Sequence, residues 1–330
     1  MALSAEIHVP ASPNPRYANM LFFLAASLAR NAGLPGPWTL VVALGRDGSL
    51  TPDSPELAWA RDLPVEFRPA DAALWEAFGA EAKRRQRPDH VHNATILRQL
   101  DQPYAADVVL FLDADTVVTR SLAPLIAEVE AGDLLAAKPA WQPPDIDLDA
   151  MLGRAGLRFD GPPITYSGWG WSFLAPKHAP PYLNSGVTVC SNRTANLLQR
   201  DLARDFAWID EQYLGRYGWQ VAQCLTIVRN RIACLSLDER YNIGIGAPAP
   251  SILPGAEGAL LDALGEEQAR DARVIHYCTP ARHFVRNRTM GDDALLRAFL
   301  DEANLDEGER MLQSALLPFR DAWEGRMEGR

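Results

Sequence analysis

Two aspartates, Asp113 and Asp115, close the run Val108-Val-Leu-Phe-Leu-Asp-Ala-Asp-Thr116. The unbroken apolar stretch before them reads as a fully buried parallel strand. Alternate residues of an extended chain project to one side, so both carboxylates leave the core aimed at the same place. Oxygens set out this way suit Mg²⁺ or Mn²⁺, hard ions that keep positions open for water and substrate phosphate. A divalent ion held there would stabilise negative charge gathering on a departing diphosphate. Aspartates after a strand also cap the turn that follows, and the pair by itself does not separate the two uses.

The elements that must position these carboxylates follow from periodicity and turn residues. Glu6 to Pro10 reads as a strand, a Pro-rich turn runs through Pro15, the apolar positions from Tyr17 to Ala29 form a helix, and Trp38 to Leu44 supplies the next strand. Strand, loop, helix and strand in this order open a doubly wound α/β sheet, whose ligands bind beyond the carboxyl ends of the strands. That places a ligand site near Ala11 to Tyr17. Val65 to Arg68 is a third strand and His92 to Leu100 a helix, followed by the aspartate strand itself. Beyond it come a helix over Ser121 to Ala131 and a short strand over Leu134 to Lys138. A long Pro-, Gly- and Asp-rich connection, Trp141 to Gly170, has the character of a binding loop. Tyr182 to Cys190 is strand-like, Thr194 to Trp208 and Gly218 to Val228 are helical, and Arg273 to Cys278 is a last buried strand. After Asp292 the chain becomes an amphipathic tail with Leu295, Leu296, Phe299 and Leu300 on one face. Packing of this tail on its own domain and dimerisation through it both remain open.

Composition narrows the function classes. At 330 residues, 48% of them apolar, the chain buries one large core. Its formal charge of -10 excludes a uniformly basic nucleic-acid surface. Cys190, Cys224, Cys234 and Cys278 lack CxxC spacing, which argues against a zinc knuckle or a thioredoxin-like redox site and makes them buried apolar residues. Met20 to Ala29, the most apolar early stretch, is about half the length a membrane span requires. The amino terminus has no basic region or cleavage site of a secretory signal, and the expected location is the cytoplasm.

Three segments carry a family resemblance. Phe111-Leu-Asp-Ala-Asp-Thr-Val-Val-Thr119, Tyr182-Leu-Asn-Ser-Gly-Val-Thr-Val189 and Val274-Ile-His-Tyr-Cys-Thr-Pro280 resemble, in order, the LDADT strand, the FNSGV strand and the HYxGPxKPW segment of glycosyltransferase family 8, the retaining GT-A enzymes. The resemblance spans most of residues 5 to 290. It implies a GT-A fold, a Rossmann-like α/β domain with a mostly parallel central sheet, over residues 1–290, with 291–330 as a C-terminal helical tail. It further implies a metal held by Asp113, Asp115 and His276, and donor contacts from Asp113, Ala114, Asp115, Asn184, Ser185 and Gly186. Imidazole ligation favours Mn²⁺ over Mg²⁺ in such a site.

Departures from the family pattern shape the remaining expectations. The last motif's Gly, Lys, Pro and Trp become Thr279, Arg282, His283 and Phe284, so Arg282 inherits contact with the diphosphate, a role open to a bidentate guanidinium. The family's Asp-Gln pair falls on Ala222 and Gln223. Without that carboxylate no covalent nucleophile is assigned, and Gln223 either supports the reacting sugar during front-face attack or is an ordinary helix residue; Asp210 or Glu211 is an alternative source of a carboxylate. The opening Ala11-Ser-Pro-Asn-Pro-Arg-Tyr17 lacks the family's acidic residue, leaving Ser12 and Tyr17 as candidates for base or ribose contact, with uridine the first guess. Arg98 is a candidate for donor phosphate or sugar. Trp169 and Trp171, in Thr165-Tyr-Ser-Gly-Trp-Gly-Trp-Ser172, offer aromatic faces to an acceptor sugar or anchor their loop.

The reading is therefore a metal-dependent retaining hexosyltransferase that takes a nucleotide-diphosphate sugar, UDP-sugar first, to an acceptor hydroxyl. A sugar-nucleotide nucleotidyltransferase shares the α/β plan and acidic ligands, although the expected Gly-rich phosphate loop is missing. A degenerate sugar-nucleotide-binding protein is the third alternative. A glycosidase is disfavoured, since Asp113 and Asp115 are too close in sequence to flank a glycosidic bond.

Overall fold

The computed structural model describes residues 2–46, 48–69, 72, 76, 103–140, 147–161, 164–165, 178–212, 218–245, 271–278 and 280–328. Strand β1 (Ala5–Ala11) leads through a Pro-rich turn into helix α1 (Arg16–Asn31), and β2 (Trp38–Leu44) and β3 (Val65–Pro69) follow. Then come β4 (Val108–Leu112), β5 (Thr116–Val118), α2 (Ala123–Gly132) and β6 (Leu135–Pro139). Helix α3 (Leu148–Arg154) precedes a small hairpin of β7 (Ile164–Thr165) and β8 (His178–Ala179). Strand β9 (Leu183–Ser191) runs into α4 (Asn192–Gln212) and α5 (Gly218–Asn230), then β10 (Cys234–Ser236), β11 (Ile243–Gly244) and β12 (Val274–His276). A short α6 (Arg286–Thr289) and helices α7 (Asp293–Asp301), α8 (Glu307–Leu316) and α9 (Arg320–Glu328) end the chain.

Seven strands form the central sheet in the order β10-β6-β9-β4-β1-β2-β3. Its pairs are parallel except the two made by β9, which runs antiparallel to both β4 and β6. The aspartate strand is thus parallel to β1 on one side only. Its apolar sequence reflects burial on both faces, which periodicity reads correctly, and burial does not determine the direction of a neighbour. A second sheet, β11-β12-β5, sits beyond the carboxyl end of β4. There β12 pairs antiparallel with β5 and sets His276 opposite Thr116, one residue from Asp115.

The expected long connection from Trp141 to Gly170 contains helix α3, whose first turn is capped by the Asp147 side chain accepting from the Ala150 amide at 3.0 Å. The intervening Pro and Gly residues obscure a helix of barely two turns. The helix expected over His92 to Leu100 lies outside the described residues. Among the described residues, no helix is long and apolar enough to cross a membrane.

Helix α1 is buried on nearly all sides, with Tyr17, Met20, Leu21, Phe22, Phe23, Leu24 and Leu28 all in the core. A helix apolar all round needs cover on two sides. The sheet supplies one, and the carboxyl-terminal helices supply the other. Trp323 is fully buried, lies 6.3 Å from the Phe23 ring, and donates its indole N–H to Asn19 Oδ1 at 3.0 Å. Helix α8 starts with a capping box between Asp306 and Glu309. The same buried Glu309 carboxylate also accepts from the amides of His283 and Phe284, and the Phe284 ring packs at a tilt against Phe299 with centroids 4.9 Å apart. The terminal helices therefore brace the segment that follows β12 and leads to Arg286.

Candidate metal and donor site

Strand β4 ends at Leu112, and the Asp113 amide donates to Gly186 O of β9 at 3.0 Å, which carries the pairing one residue beyond the strand. Asp115 O in turn accepts from the Tyr277 amide at 3.0 Å, tying the turn to the end of β12. Two sheets thus fix the backbone that carries the carboxylates. Asp113, Asp115 and His276 converge, each offering one ligand atom within 4.8 Å of the others. His276 Nε2 lies 3.5 Å from Asp113 Oδ2 and 3.3 Å from Asp115 Oδ1.

The orientation of the His276 ring is set from behind. Gly186 N donates to Asn184 Oδ1 at 2.8 Å, and the same oxygen accepts from Asn242 Nδ2 at 2.9 Å. That assigns the Asn242 amide, whose Oδ1 faces His276 Nδ1 at 3.0 Å and accepts its proton. Lys138 Nζ donates to the Asn242 carbonyl at 3.3 Å and steadies the loop. With Nδ1 occupied, Nε2 is the atom presented to the carboxylates, and despite their proximity it has no hydrogen-bond partner among the described residues. A buried nitrogen aimed between two carboxylates, with its other nitrogen held by an amide oxygen, matches what a divalent ion requires.

Gly186 provides the room. A Cβ there would stand 2.5 Å from His276 Cε1 and 2.7 Å from Nδ1, so the imidazole can lie across β9 only over glycine.

The electrostatics reflect a cation-seeking cluster. Burial favours neutral Asp115, but His276 and the Arg286 guanidinium outweigh it and hold the carboxyl well below its ordinary range. Burial likewise opposes charge on His276, and the Cys278 sulfur and Asp115 carboxylate reverse that effect and raise it well above its ordinary value. Without a metal, a proton on His276 thus serves as the positive charge between the carboxylates.

Arg286 donates through Nη1 to Asp115 Oδ2. Arg282, proposed from sequence for the diphosphate, is exposed, and it is the guanidinium four residues later that meets the acidic pair. Arg286 and Asn242 are the two site residues that motif reading missed. Arg286 stands ten positions after His276 and starts the four-residue helix α6, and nothing in the spacing marks it out.

The remaining candidates divide clearly. Tyr17 is buried, hydrogen-bonded to Ser12, and close enough to Arg286 to interact electrostatically, so the first loop meets the acidic cluster. Asp113, Ser185 and Gln223 share the wall of a cavity of about 30 Å³ with Pro10, Phe111 and Trp219, room for a water or two. Gln223 Oε1 and Thr188 Oγ1, also on that wall, are buried and have no hydrogen-bond partner among the described residues. Ala222 is fully buried in the packing of α4 on α5 and is not part of this cavity's wall. Glu211 is exposed, and the side chain of Asp210 lies outside the described residues, as do Arg98, Trp169 and Trp171. Of the cysteines expected in the core, Cys190 and Cys224 are buried, Cys234 is half-buried and Cys278 is exposed beside His276, because β12 ends before it.

A sheet of this topology, with an Asp-x-Asp turn at the end of its fourth strand and a histidine returned to it by a small second sheet, is the GT-A fold. The chain is similar to the galactosyltransferase LgtC, solved in complex with donor and acceptor sugar analogues, at 14% identity and a TM-score of 0.50 over 92% of this chain and 99% of that one. It is similar to the bifunctional glycosyltransferase WbbM in its apo form, at 15% identity and a TM-score of 0.52 over 95% of this chain and 52% of that one. It is also similar to mouse xyloside xylosyltransferase 1, apo form, at 15% identity and a TM-score of 0.50 over 85% of this chain and 100% of that one. No family model matches the chain, and no curated protein sequence matches it.

Proposed function

We propose that the protein is a retaining glycosyltransferase that moves a hexosyl unit from a nucleotide-diphosphate sugar, UDP-sugar first, to an acceptor hydroxyl. The observation that carries this reading is the convergence of Asp113, Asp115 and the buried Nε2 of His276, which has no hydrogen-bond partner among the described residues, at the carboxyl end of β4 in a GT-A sheet. Asp113, Asp115 and His276 would hold Mn²⁺, with Mg²⁺ the alternative. Such an ion supplies Lewis-acid stabilisation of the charge on a leaving diphosphate.

The residues around the cluster have matching tasks. Ser12, just after β1, and Tyr17, in the first turn of α1, meet the nucleoside in this reading. Asn184, Ser185 and Gly186 belong to the donor-sugar strand in this reading, and of the three Ser185 shares the cavity wall with Asp113. Gln223 presents to the cavity beside Asp113 and Ser185 a buried carbonyl oxygen that has no hydrogen-bond partner among the described residues, and there it accepts from a sugar hydroxyl or faces positive charge growing at the anomeric carbon. In the transfer the bond from the anomeric carbon to the diphosphate breaks, the acceptor oxygen bonds to that carbon on the same face, and its proton passes to the leaving phosphate oxygen. The absence of a carboxylate at Ala222 favours this front-face route over a covalent intermediate at that position.

Calorimetry against a panel of nucleotide sugars, with and without Mn²⁺, tests the reading on the native chain and Asp115→Ala. Metal-dependent binding that disappears in the variant is expected. Absence of binding across the panel would sink it, and release of pyrophosphate from a nucleoside triphosphate and a sugar phosphate would replace it with a nucleotidyltransferase.

A further inference from the structure

We infer that Arg286 is the metal's electrostatic rival for Asp115 in the donor-free protein and becomes a counter-ion of the donor's diphosphate once the metal is bound. This rests on the proposed metal-dependent donor site and concerns a residue that the sequence motifs do not mark.

Asp113 and Asp115 bring two negative charges into a site where Asp115 is 4% exposed. A buried carboxylate requires compensation, and Arg286 provides it by donating Nη1 to Asp115 Oδ2 while His276 faces Oδ1. A divalent ion on the two carboxylates neutralises both by itself. The guanidinium, still charged, is then surplus to the carboxylates, and the strongest anion arriving with the metal is a diphosphate, a group that guanidinium recognises through paired N–H donors.

Geometry permits the change of partner. The Arg286 side chain is 28% exposed, against 5% for Asp115, so it lies at the boundary between the cluster and solvent. Its Nε donates to Asn287 Oδ1 at 3.2 Å, which leaves the terminal nitrogens as the ends that meet Asp115 and anything entering from outside. Arg286 also interacts electrostatically with Tyr17, in the first turn of α1 just after the loop that leaves β1, the end of the sheet where α/β folds take their ligands. The bracing of the His283–Phe284 backbone by Glu309 fixes the base of the segment.

The consequence is a sign reversal that a merely structural arginine would not show. Removing Arg286 favours metal alone and disfavours diphosphate in the presence of metal, so the donor and the metal bind with positive coupling that depends on this residue.

Free Mn²⁺ measured by electron paramagnetic resonance tests this on the full chain, first with Mn²⁺ alone and then with Mn²⁺ plus inorganic pyrophosphate or UDP. Arg286→Gln is expected to bind Mn²⁺ alone on the order of tenfold more tightly than the native chain, and to lose most of the gain that diphosphate gives the native protein. Arg286→Lys, which keeps the charge, should stay near the native value for Mn²⁺ alone and serves if the glutamine variant folds poorly. Arg288→Gln removes one exposed charge from the same helix without touching Asp115 and should change neither value. Equal or weaker Mn²⁺ binding in Arg286→Gln, or an equal effect of Arg288→Gln, overturns the rivalry. An undiminished diphosphate gain in Arg286→Gln overturns the second role. If no chain, including Arg286→Gln, binds Mn²⁺ with or without diphosphate, the metal-dependent donor site itself is overturned.

Discussion

Asn242 Oδ1 stands 3.0 Å from Nδ1 of His276 and is itself oriented by Asn184, so the imidazole is aimed at Asp113 and Asp115 by an amide that only His276 separates from the metal it would serve. Outer partners of this kind raise affinity by fixing the ring and its tautomer. Asn242→Ala is expected to weaken Mn²⁺ binding by about 10- to 100-fold with the fold intact. Titration with Mn²⁺ alongside a thermal melt checks it, and an unchanged affinity would make Asn242 a purely structural residue.

Gly186→Ala tests the close approach of the ring. The added methyl would meet His276 Cε1 at 2.5 Å and Asn184 Oδ1 at 3.0 Å, and backbone pairing with β4 prevents β9 from withdrawing. The ring must turn away, with a stability loss of about 1–3 kcal/mol from overpacking and a much larger proportional loss of metal binding. Denaturant unfolding and metal titration on one preparation separate the two effects.

The cluster also predicts a dependence on pH that changes sign with metal. In the metal-free protein His276 is raised above its ordinary 6.5, so its stabilisation is complete below about 6.5 and is lost as pH rises through the higher folded value. Asp115 is lowered below its ordinary 3.8, and its contribution is present above about 3.8 and is lost as pH falls through the folded value. A metal must displace the His276 proton, so Mn²⁺ affinity should rise with pH over the range in which the metal-free protein loses the histidine contribution. Thermal melts of native chain and His276→Asn across pH, with and without Mn²⁺, report both trends. Mn²⁺ affinity independent of pH would remove His276 from the ligand set.

Gln223→Ala is expected to lower kcat on the order of a hundredfold while donor affinity changes little, as for a polar group that acts mainly on developing charge. Steady-state kinetics with the donor identified by calorimetry decide the matter. A rise in KM alone would make Gln223 a donor-binding residue.

Trp323→Ala probes the terminal helices. The indole is fully buried against α1 and hydrogen-bonded to Asn19, so its loss should cost about 3–5 kcal/mol in equilibrium unfolding. A helical tail that docks only loosely would show less than about 1 kcal/mol.

Much of this site was legible in the chain itself. Val108–Leu112 is unbroken and apolar because it is buried on both faces, and the alternation rule then places Asp113 and Asp115 together without further information. The segments around Asn184 to Gly186 and His276 stand out only through their resemblance to family motifs, each carried by a few adjacent residues. Pattern also located α1 and the strands on either side of it, whose side chains meet neighbours at fixed spacings.

Tertiary structure decided the rest. The antiparallel direction of β9 and the pairing of β12 with β5 rest on contacts between residues far apart in the chain, which no local period encodes. Asn242 and Arg286 enter the site for the same reason, one from the turn before β11 and the other from a one-turn helix braced by Glu309. Polar residues in irregular segments have no periodic face to betray their direction. What orients them is the set of hydrogen bonds and charges that they meet only after the sheets have closed.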